Sequence, residues 1–457
     1  MWNPVEKMAD SVSPAPEGPP ERSQPVHIRP RGWRKTFRSL RHRNFRLFFG
    51  GQFISLIGTW MQQVAVYWLV YRLTGSAVLL GVAGFAGQIP VSVLSPLGGL
   101  VADRLRRQYV VIATQIASML LAVVLSILTL TGWVRVWEVI FLGALLGVVN
   151  AFDVPARQAF LIEMVGREDL FNAIALNSSM FNGARVVGPA IAGLLVAWIG
   201  EGWCFFANAV SYLAVIAGLL MMHIDRVVAK EEKGSPLENV IEGFRFARHT
   251  APIRALLSLV GLVSLVAMPY TVLMPIFADR ILHGGAKALG LLMGAIGVGA
   301  VIGALVLATR HEVRGLGKLI ALAAIGFGLT LNLFAFSRWF WFSMAVLVLS
   351  GLSMMLQFTS TNTLIQVMVP DRLRGRVMSL YAMMFLGMAP WGALFAGMLA
   401  NKIGSPLTVG IGGTASVVGG AIFLRKWPAM RRSARELIEE QGMLASPPAA
   451  ELTGPRA

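Results

Sequence analysis

The sequence is poor in charged residues and in cysteine. Only 14% of its 457 residues are Asp, Glu, Lys or Arg, whereas a soluble domain carries about 25%. Together with a hydrophobic content of 56%, this shortfall excludes an ordinary soluble globular protein. The single cysteine, Cys204, excludes an intrachain disulfide. Long apolar runs such as 110–130 instead match the roughly 20 residues that cross a bilayer as a helix.

The motifs of common enzymes and pumps are also absent. There is no Gly-x-x-x-x-Gly-Lys-Ser/Thr loop, which an ATP-driven pump would need to hold phosphate. Neither His-Glu-x-x-His nor Gly-x-Ser-x-Gly occurs, and the six histidines fall in tails, loops or the ends of apolar segments. We therefore expect no enzyme activity, no metal site and no cofactor.

Apolar segments of helical length recur along most of the chain, and they predict an all-α membrane protein with twelve transmembrane helices. Helices suit a bilayer because they satisfy their own backbone hydrogen bonds. The ten-residue alternation of a membrane β-barrel does not occur. The predicted spans are 44–71, 77–100, 109–131, 138–164, 171–199, 204–223, 252–281, 287–309, 317–336, 340–368, 376–400 and 406–425.

The net charge of +17 could indicate nucleic-acid binding, but its placement indicates a membrane topology. The basic residues cluster in the tails and in alternate loops, while the opposite loops carry isolated ones. This is the positive-inside pattern of cytoplasmic loops. It predicts that both termini are cytoplasmic, that the partner surface is the lipid bilayer and that nucleic acid is not a partner. The clusters lie at 29–46, 104–107, 226–248, 310–318, 372–376 and 425–426.

The two halves of the sequence repeat. TGSAVLLG at 74–81 parallels HGGAKALG at 283–290, an offset of 209, and GPAIAG at 188–193 parallels GALFAG at 392–397, an offset of 204. Two six-span copies in the same orientation predict a pseudo-two-fold axis along the membrane normal. The predicted parts are a disordered basic tail (1–43), a first six-helix bundle (44–223), a linker (224–251), a second bundle (252–425) and a second cytoplasmic tail (426–457).

The linker contains a candidate amphipathic helix. Ser235, Pro236 and Glu238 form a helix start with a cap, an early proline and an acid three residues after the cap. Apolar residues at 237, 240, 241 and 244 then follow helical spacing. We expect this helix to lie on the membrane surface or against the bundle.

Residues 99–107 read GLVADRLRR. This pattern resembles the major facilitator superfamily signature Gly-x-Leu-Ala-Asp-Arg-x-Gly-Arg-Arg, with Arg106 where the signature has Gly. The resemblance implies that Asp103 latches the halves through charges near the start of the eleventh helix, where Arg374 and Arg376 lie. An ordinary basic loop is the alternative. The latch candidates are Gly99, Asp103, Arg104 and Arg107, with Glu312 at the position of Asp103 in the second copy.

The fifth span contains GARVVGPAIAG at 183–193. It is similar to the Gly-Pro-x-x-Gly-Gly motif of superfamily antiporters, with Ala192 replacing one Gly. The resemblance implies export and points to Gly188, Pro189 and Gly193. The alternative is a packing kink that has no bearing on direction, since Gly and Pro permit bends and close helix contacts.

A wider resemblance covers most of the chain. RNFRLF at 43–48, IGTWMQ at 57–62, DVPARQA at 153–159 and EGFRF at 242–246 carry it. Together they resemble the branch of the superfamily that includes enterobactin exporters and related bacterial drug and siderophore efflux proteins. The resemblance implies a monomer in the bacterial inner membrane that exports a small molecule.

Polar residues in the spans are the candidates for coupling and substrate contact. Asn150, Asp153 and Arg157 share one helix face, and Asp153 is the only acid that we place deep within a span. A carboxylate in the membrane is a functional candidate by default. We expect it to line a polar cavity with Arg185 and Asn182, with Gln62 and Gln88 as further lining. A structural ion pair, or a cap where Pro155 breaks the helix, is an equal alternative.

These residues lead to the hypothesis of alternating access driven by protons. Asp153 would carry the proton, and Arg157 or Arg185 would compete for it. Two alternatives stay open: a lipid or lysophospholipid flippase of the same fold, and a membrane sensor that transports nothing.

Overall fold

The computed structural model describes residues 38–223, 236–310 and 315–440. Within these ranges twelve helices are long and apolar enough to cross a membrane. We number them α1 to α12 in chain order. They are Arg43–Thr74, Ala77–Arg104, Arg107–Leu130, Val136–Gly166, Glu168–Ile199, Glu201–Leu220, Ala251–Ile281, Gly285–Ala308, Leu316–Phe336, Phe340–Met368, Arg372–Ile403 and Ser405–Glu439. The all-α membrane architecture is therefore confirmed.

The helix ends follow from local backbone chemistry. α1 stops at Gly75, whose φ of 62° lies in the left-handed region that glycine adopts without strain. Gly166, with a φ of 71°, separates α4 from α5, which would otherwise form one continuous helix. Pro155 does not break α4, because membrane helices tolerate proline where neighbouring groups satisfy the freed carbonyl. The alternative of a helix cap at Pro155 is therefore wrong.

The last helix differs most from its prediction, which ends at 425. α12 continues to Glu439 because the sequence stays helix-forming after its apolar part ends. Arg432 pairs with Glu436 at 3.2 Å, and Arg435 pairs with Glu439 at 2.6 Å. Such pairs, four residues apart on an exposed face, support a helix without burial.

The twelve helices form two six-helix bundles. Both bundles have buried apolar interiors, and the first contains Phe45, Phe160 and Phe205 with no exposed surface. The bundles contact each other mainly through two helix pairs, α2 with α11 and α5 with α8.

The predicted helix in the linker spans Pro236–His249, while Ser235 lies outside the described residues. It packs on the start of α11, where Glu242 forms ion pairs with Arg372 and Arg376. Residues 1–37 of the first predicted tail (1–43), residues 441–457 of the second (426–457), the linker segment 224–235 and Glu312 also lie outside the described residues. The prediction of disorder is wrong for Arg38–Arg41, which form a short 3-10 helix.

Candidate functional site

The position of the linker helix distinguishes the two ends of the helix bundle. The linker side is the end where α1 begins, α6 ends and the linker helix lies. The far side is the opposite end, where α1 ends and α2 begins. The contact between the halves differs between these two sides.

On the far side, α2 and α11 meet backbone to backbone. A Cβ at Gly81 would lie 2.6 Å from the carbonyl oxygen of Ala393, and a Cβ at Gly397 would lie 2.6 Å from that of Ala77. No larger residue fits without moving a helix. Small residues therefore let the halves approach closely here.

The other helix pair, α5 with α8, repeats this arrangement. A Cβ at Gly193 would lie 2.6 Å from the Cα of Gly290. In the alignment of the two sequence repeats, Gly81 corresponds to Gly290 and Gly193 corresponds to Gly397. The two glycine pairs, Gly81 with Gly397 and Gly193 with Gly290, are thus related by the pseudo-two-fold axis.

The antiporter-like motif contributes to this contact and to packing within the first half. Pro189 precedes the α5–α8 crossing, and its carbonyl oxygen would lie 2.7 Å from a Cβ at Gly290. Gly188 faces α1, where a Cβ would lie 2.6 Å from the Cβ of Trp60. The motif thus holds α5 against helices of both halves.

Polar groups also join the halves on the far side. The Tyr71 hydroxyl, near the end of α1, donates a hydrogen bond to Asp279 Oδ2 in α7 at 2.7 Å. Arg280 donates to the carbonyl oxygen of Gly75 at 3.2 Å and lies over the Tyr71 ring, 5.7 Å from its centre. This set could not be predicted from the sequence, because Arg280 and Gly75 are 205 residues apart.

The linker side lacks a comparable contact among the described residues. A Cβ at Gly99 would meet no atom within 4 Å, and the side chains of Asp103 and Arg104 are exposed. The start of α11 packs on the linker helix and α10. The two halves are therefore closed together on the far side and separated on the linker side.

The latch candidates are held within the first half. Arg107 pairs with Asp103 at 3.4 Å and with Glu163 at 3.0 Å, and it donates to the carbonyl oxygen of Ala159 at 3.2 Å. These bonds fix the loop between α2 and α3 against α4. The ion pair of Asp103 with Arg107 thus lies inside its own half, and its contact with the start of α11 stays a prediction.

A central cavity lies between the halves, and Arg185 lines it. The part toward α7 has a volume of about 260 Å³ and includes Trp60, Phe181 and Phe385. A second part of about 280 Å³ lies against α10 and includes Met354. The Arg185 guanidinium lies 5.6 Å from the centre of the Trp60 ring and 3.9 Å from Met354 Sδ. Arg185 is half-buried and faces both parts.

Three of the predicted polar residues meet in a neighbouring cavity of about 250 Å³ inside the first half. Gln62, Gln88 and Asn150 all line it. Gln62 accepts a hydrogen bond from Asn208 at 2.7 Å. Gln88 also lines the central cavity, as do Gln63 and Tyr67, which the sequence did not single out.

Asp153 lies elsewhere. Its side chain is 4% exposed and accepts hydrogen bonds from Thr114 and Gln115 of α3, each at 2.9 Å. The Arg157 guanidinium forms an ion pair with the same carboxylate at 3.3 Å. None of the described cavities has Asp153 in its lining. None of these cavities brings Asp153 together with Arg185 and Asn182, and the Asn182 amide donates to the carbonyl oxygen of Ser178.

Two further acids are buried that the sequence placed outside the membrane interior. Asp169, at the start of α5, is 2% exposed and pairs with Arg38, Arg41 and His42. Glu201, at the start of α6, is 5% exposed and pairs with Arg72 at 2.7 Å. Sequence reasoning missed the burial of these two acids, because partners more than 120 residues away in sequence cover both helix starts.

Comparison with known proteins gives a consistent result. Residues 34–452 match the family model described as transmembrane secretion effector. The staphyloferrin A transporter of Staphylococcus aureus (strain NCTC 8325 / PS 47) is 26% identical over 83% of this chain and 95% of its own. The multidrug efflux pump Tap of Mycolicibacterium fortuitum is 28% identical over 75% and 85%.

The enterobactin exporter EntS of Escherichia coli O1:K1 / APEC is 27% identical over 86% of this chain and 93% of its own. Among solved structures, the nucleoside transporter NupG superposes with a TM-score of 0.67 at 14% identity, over 86% of this chain and 99% of NupG. That likeness concerns the fold alone. The predicted resemblance to the major facilitator superfamily and to its siderophore and drug efflux branch is confirmed.

Proposed function

The chain belongs to the transmembrane secretion effector family of the major facilitator superfamily, and from this premise we propose that it exports a siderophore-like or drug-like molecule across the bacterial inner membrane. The family makes it a multi-pass transporter of small molecules rather than an enzyme. The relatives named for staphyloferrin A, enterobactin and multidrug efflux support export. They do not share one substrate chemistry, so the family by itself leaves the substrate open.

The observation that carries the mechanism is the one-sided contact between the halves. The positive-inside pattern assigns the linker side to the cytoplasm. The central cavity is then reached from inside while the glycine pairs close the outside. A rocking motion about the pseudo-two-fold axis would close the linker side and open the far side. Substrate taken up from the cytoplasm would thereby leave on the outside.

The latch residues fit the opposite state of this cycle. Asp103 is exposed at the end of α2, on the side where α2 and the start of α11 are apart. Closing the linker side would bring it toward Arg374 and Arg376. A carboxylate gains most from nearby guanidinium groups and from a helix start. Asp103 would therefore stabilise the state that faces outward.

Asp153 is the proposed site of proton coupling. Hydrogen bonds from Thr114 and Gln115 and the ion pair with Arg157 hold its carboxylate between α3 and α4. Protonation would weaken the ion pair with Arg157 and loosen α4 from α3. Inward proton flow could then drive outward substrate flow if the two conformations expose Asp153 to opposite sides.

The test is flux into proteoliposomes that hold the purified protein. With a pH gradient imposed, the dye ethidium and the catecholate 2,3-dihydroxybenzoate serve as probes of drug-like and siderophore-like substrates. Transport of either probe that rises with the gradient is the expected result. Movement of a labelled lysophospholipid instead would favour the flippase, and no movement of any probe would favour the sensor. Protein-free liposomes serve as the control.

A further inference from the structure

Arg185 is the one charged side chain among the described residues that line the central cavity. Both parts of the cavity include it, and the rest of their lining is aromatic, aliphatic, thioether, hydroxyl or amide. A guanidinium offers five donors in a fixed plane, and it stays charged at any physiological pH. The centre of the transporter therefore carries a permanent positive charge.

The protein does not neutralise this charge. No Asp or Glu among the described residues forms an ion pair with Arg185, in contrast to Arg72, Arg107 and Arg157. The Arg185 guanidinium lies against the Trp60 ring and Met354 Sδ, and both are soft, uncharged groups. Keeping a cation in an apolar setting without a partner is unfavourable, and an incoming anion would relieve it.

We infer that the substrate is an anion with an aromatic or apolar body, and that Arg185 binds its oxyanion. A carboxylate or a catecholate can accept two parallel N–H bonds from one guanidinium. Trp60, Phe181 and Phe385 would contact the apolar body, and Gln63 and Gln88 are available for its polar groups. This inference rests on the proposed function and names the charge class of its substrate.

The experiment is equilibrium binding to the purified protein in nanodiscs, without any gradient. The probes are a matched pair, radiolabelled 2,3-dihydroxybenzoate and its neutral amide, 2,3-dihydroxybenzamide, with ethidium as the cation. We expect wild type to bind the acid about tenfold or more tightly than the amide, as a charge-assisted hydrogen bond would give. Arg185→Gln should abolish that preference, and Arg185→Lys should retain part of it.

A matched control removes a positively charged side chain that lies outside the cavity. Lys402→Gln, at the exposed end of α11, should keep the wild-type preference. Thermal unfolding of each variant shows whether it is folded. If Arg185→Gln does not fold, the binding preference of Arg185→Lys still tests the role of Arg185. Competition by lysophosphatidylglycerol but not by lysophosphatidylcholine would support the same anion site with a lipid as its source.

Wild type that binds the amide or ethidium as tightly as the acid would overturn the inference. So would an acid preference that survives in a folded Arg185→Gln variant. Failure of the proposed function looks different, because binding that depends on Arg185 would then persist while gradient-driven flux is absent. Conversely, flux of ethidium alone would support export and contradict the anion site.

Discussion

The far side and the linker side of this transporter use the same helices in different ways. On the far side, the glycine pairs of α2 with α11 and α5 with α8 bring backbones into contact, and Tyr71 and Asp279 add a hydrogen bond. On the linker side, α2 ends in exposed charges and α11 begins on the linker helix. Close packing of small residues thus holds the far side closed, whereas the linker side carries exposed charges such as Asp103, which pairs with Arg107 in its own half.

Among the proposed substitutions, one at Gly193 should disrupt the contact on the far side most strongly. Replacing it with Leu inserts a side chain where even a Cβ would lie 2.6 Å from Gly290. Overpacking costs about 1–3 kcal/mol, which is enough to shift a conformational equilibrium by about tenfold or more. We expect Gly193→Leu to lower flux to about a tenth of wild type or less and to increase labelling of cysteines placed on the far side.

The control for this variant is Gly50→Leu in α1, at an exposed position where a Cβ would meet nothing within 4 Å. It should fold and transport as wild type does. Normal flux in Gly193→Leu would show that the glycine contact is not needed to close the far side.

Asp153→Asn tests whether the buried carboxylate couples protons or only holds α3 to α4. The amide keeps the size of the side chain but loses the charge that pairs with Arg157. We expect gradient-driven flux to fall about tenfold while substrate exchange without a gradient persists. The melting temperature should drop modestly, since a lost charged hydrogen bond costs about 1–3 kcal/mol.

Ser178→Ala in α5 is a polar control that leaves the Asp153 set intact. If gradient-driven flux and exchange decline together with the melting temperature in Asp153→Asn, the residue has a structural role. Wild-type gradient-driven flux would exclude it as the proton carrier.

Asp103→Asn probes the linker side. Because Asp103 is exposed in the present state and is proposed to act in the opposite one, the variant should slow turnover several-fold, by about 1 kcal/mol. Substrate binding should change little, so kcat should fall while KM stays near wild type. Glu436→Gln, another exposed acid paired with an Arg four residues away, is the control. Equal losses in binding and turnover would contradict the latch.

Tyr71→Phe should have the smallest effect on the far side. It removes one hydrogen bond to Asp279 and keeps the ring beneath Arg280. A net loss of about 0.5–1.5 kcal/mol would raise the population that is open on the far side by about two- to tenfold. Distance measurements between spin labels on the far side would detect this shift. Tyr109→Phe, at an exposed tyrosine, is the control. An unchanged distance distribution in Tyr71→Phe would show that the Tyr71 hydroxyl does not help to close the far side.

Hydrophobicity, charge placement and the repeat were sufficient to predict the twelve helices and their division into two bundles. These properties are local or periodic, so they can be read along the chain. The repeat aligns Gly81 with Gly290 and Gly193 with Gly397. It does not reveal that Gly81 packs against Gly397 and that Gly193 packs against Gly290. That requires the pseudo-two-fold axis in three dimensions.

Sequence reasoning was weakest for the charged residues. It identified Asp153, Arg157 and Arg185 as candidates, yet it expected Asp153 and Arg185 to share a cavity, and it missed the burial of Asp169 and Glu201. The sequence by itself determined which residues are polar within an apolar setting. Only the tertiary structure decided which of them are partnered, because burial and pairing depend on which helices pack together. Asp153 thus has three partners inside the first half, while Arg185 faces the cavity without a carboxylate among the described residues.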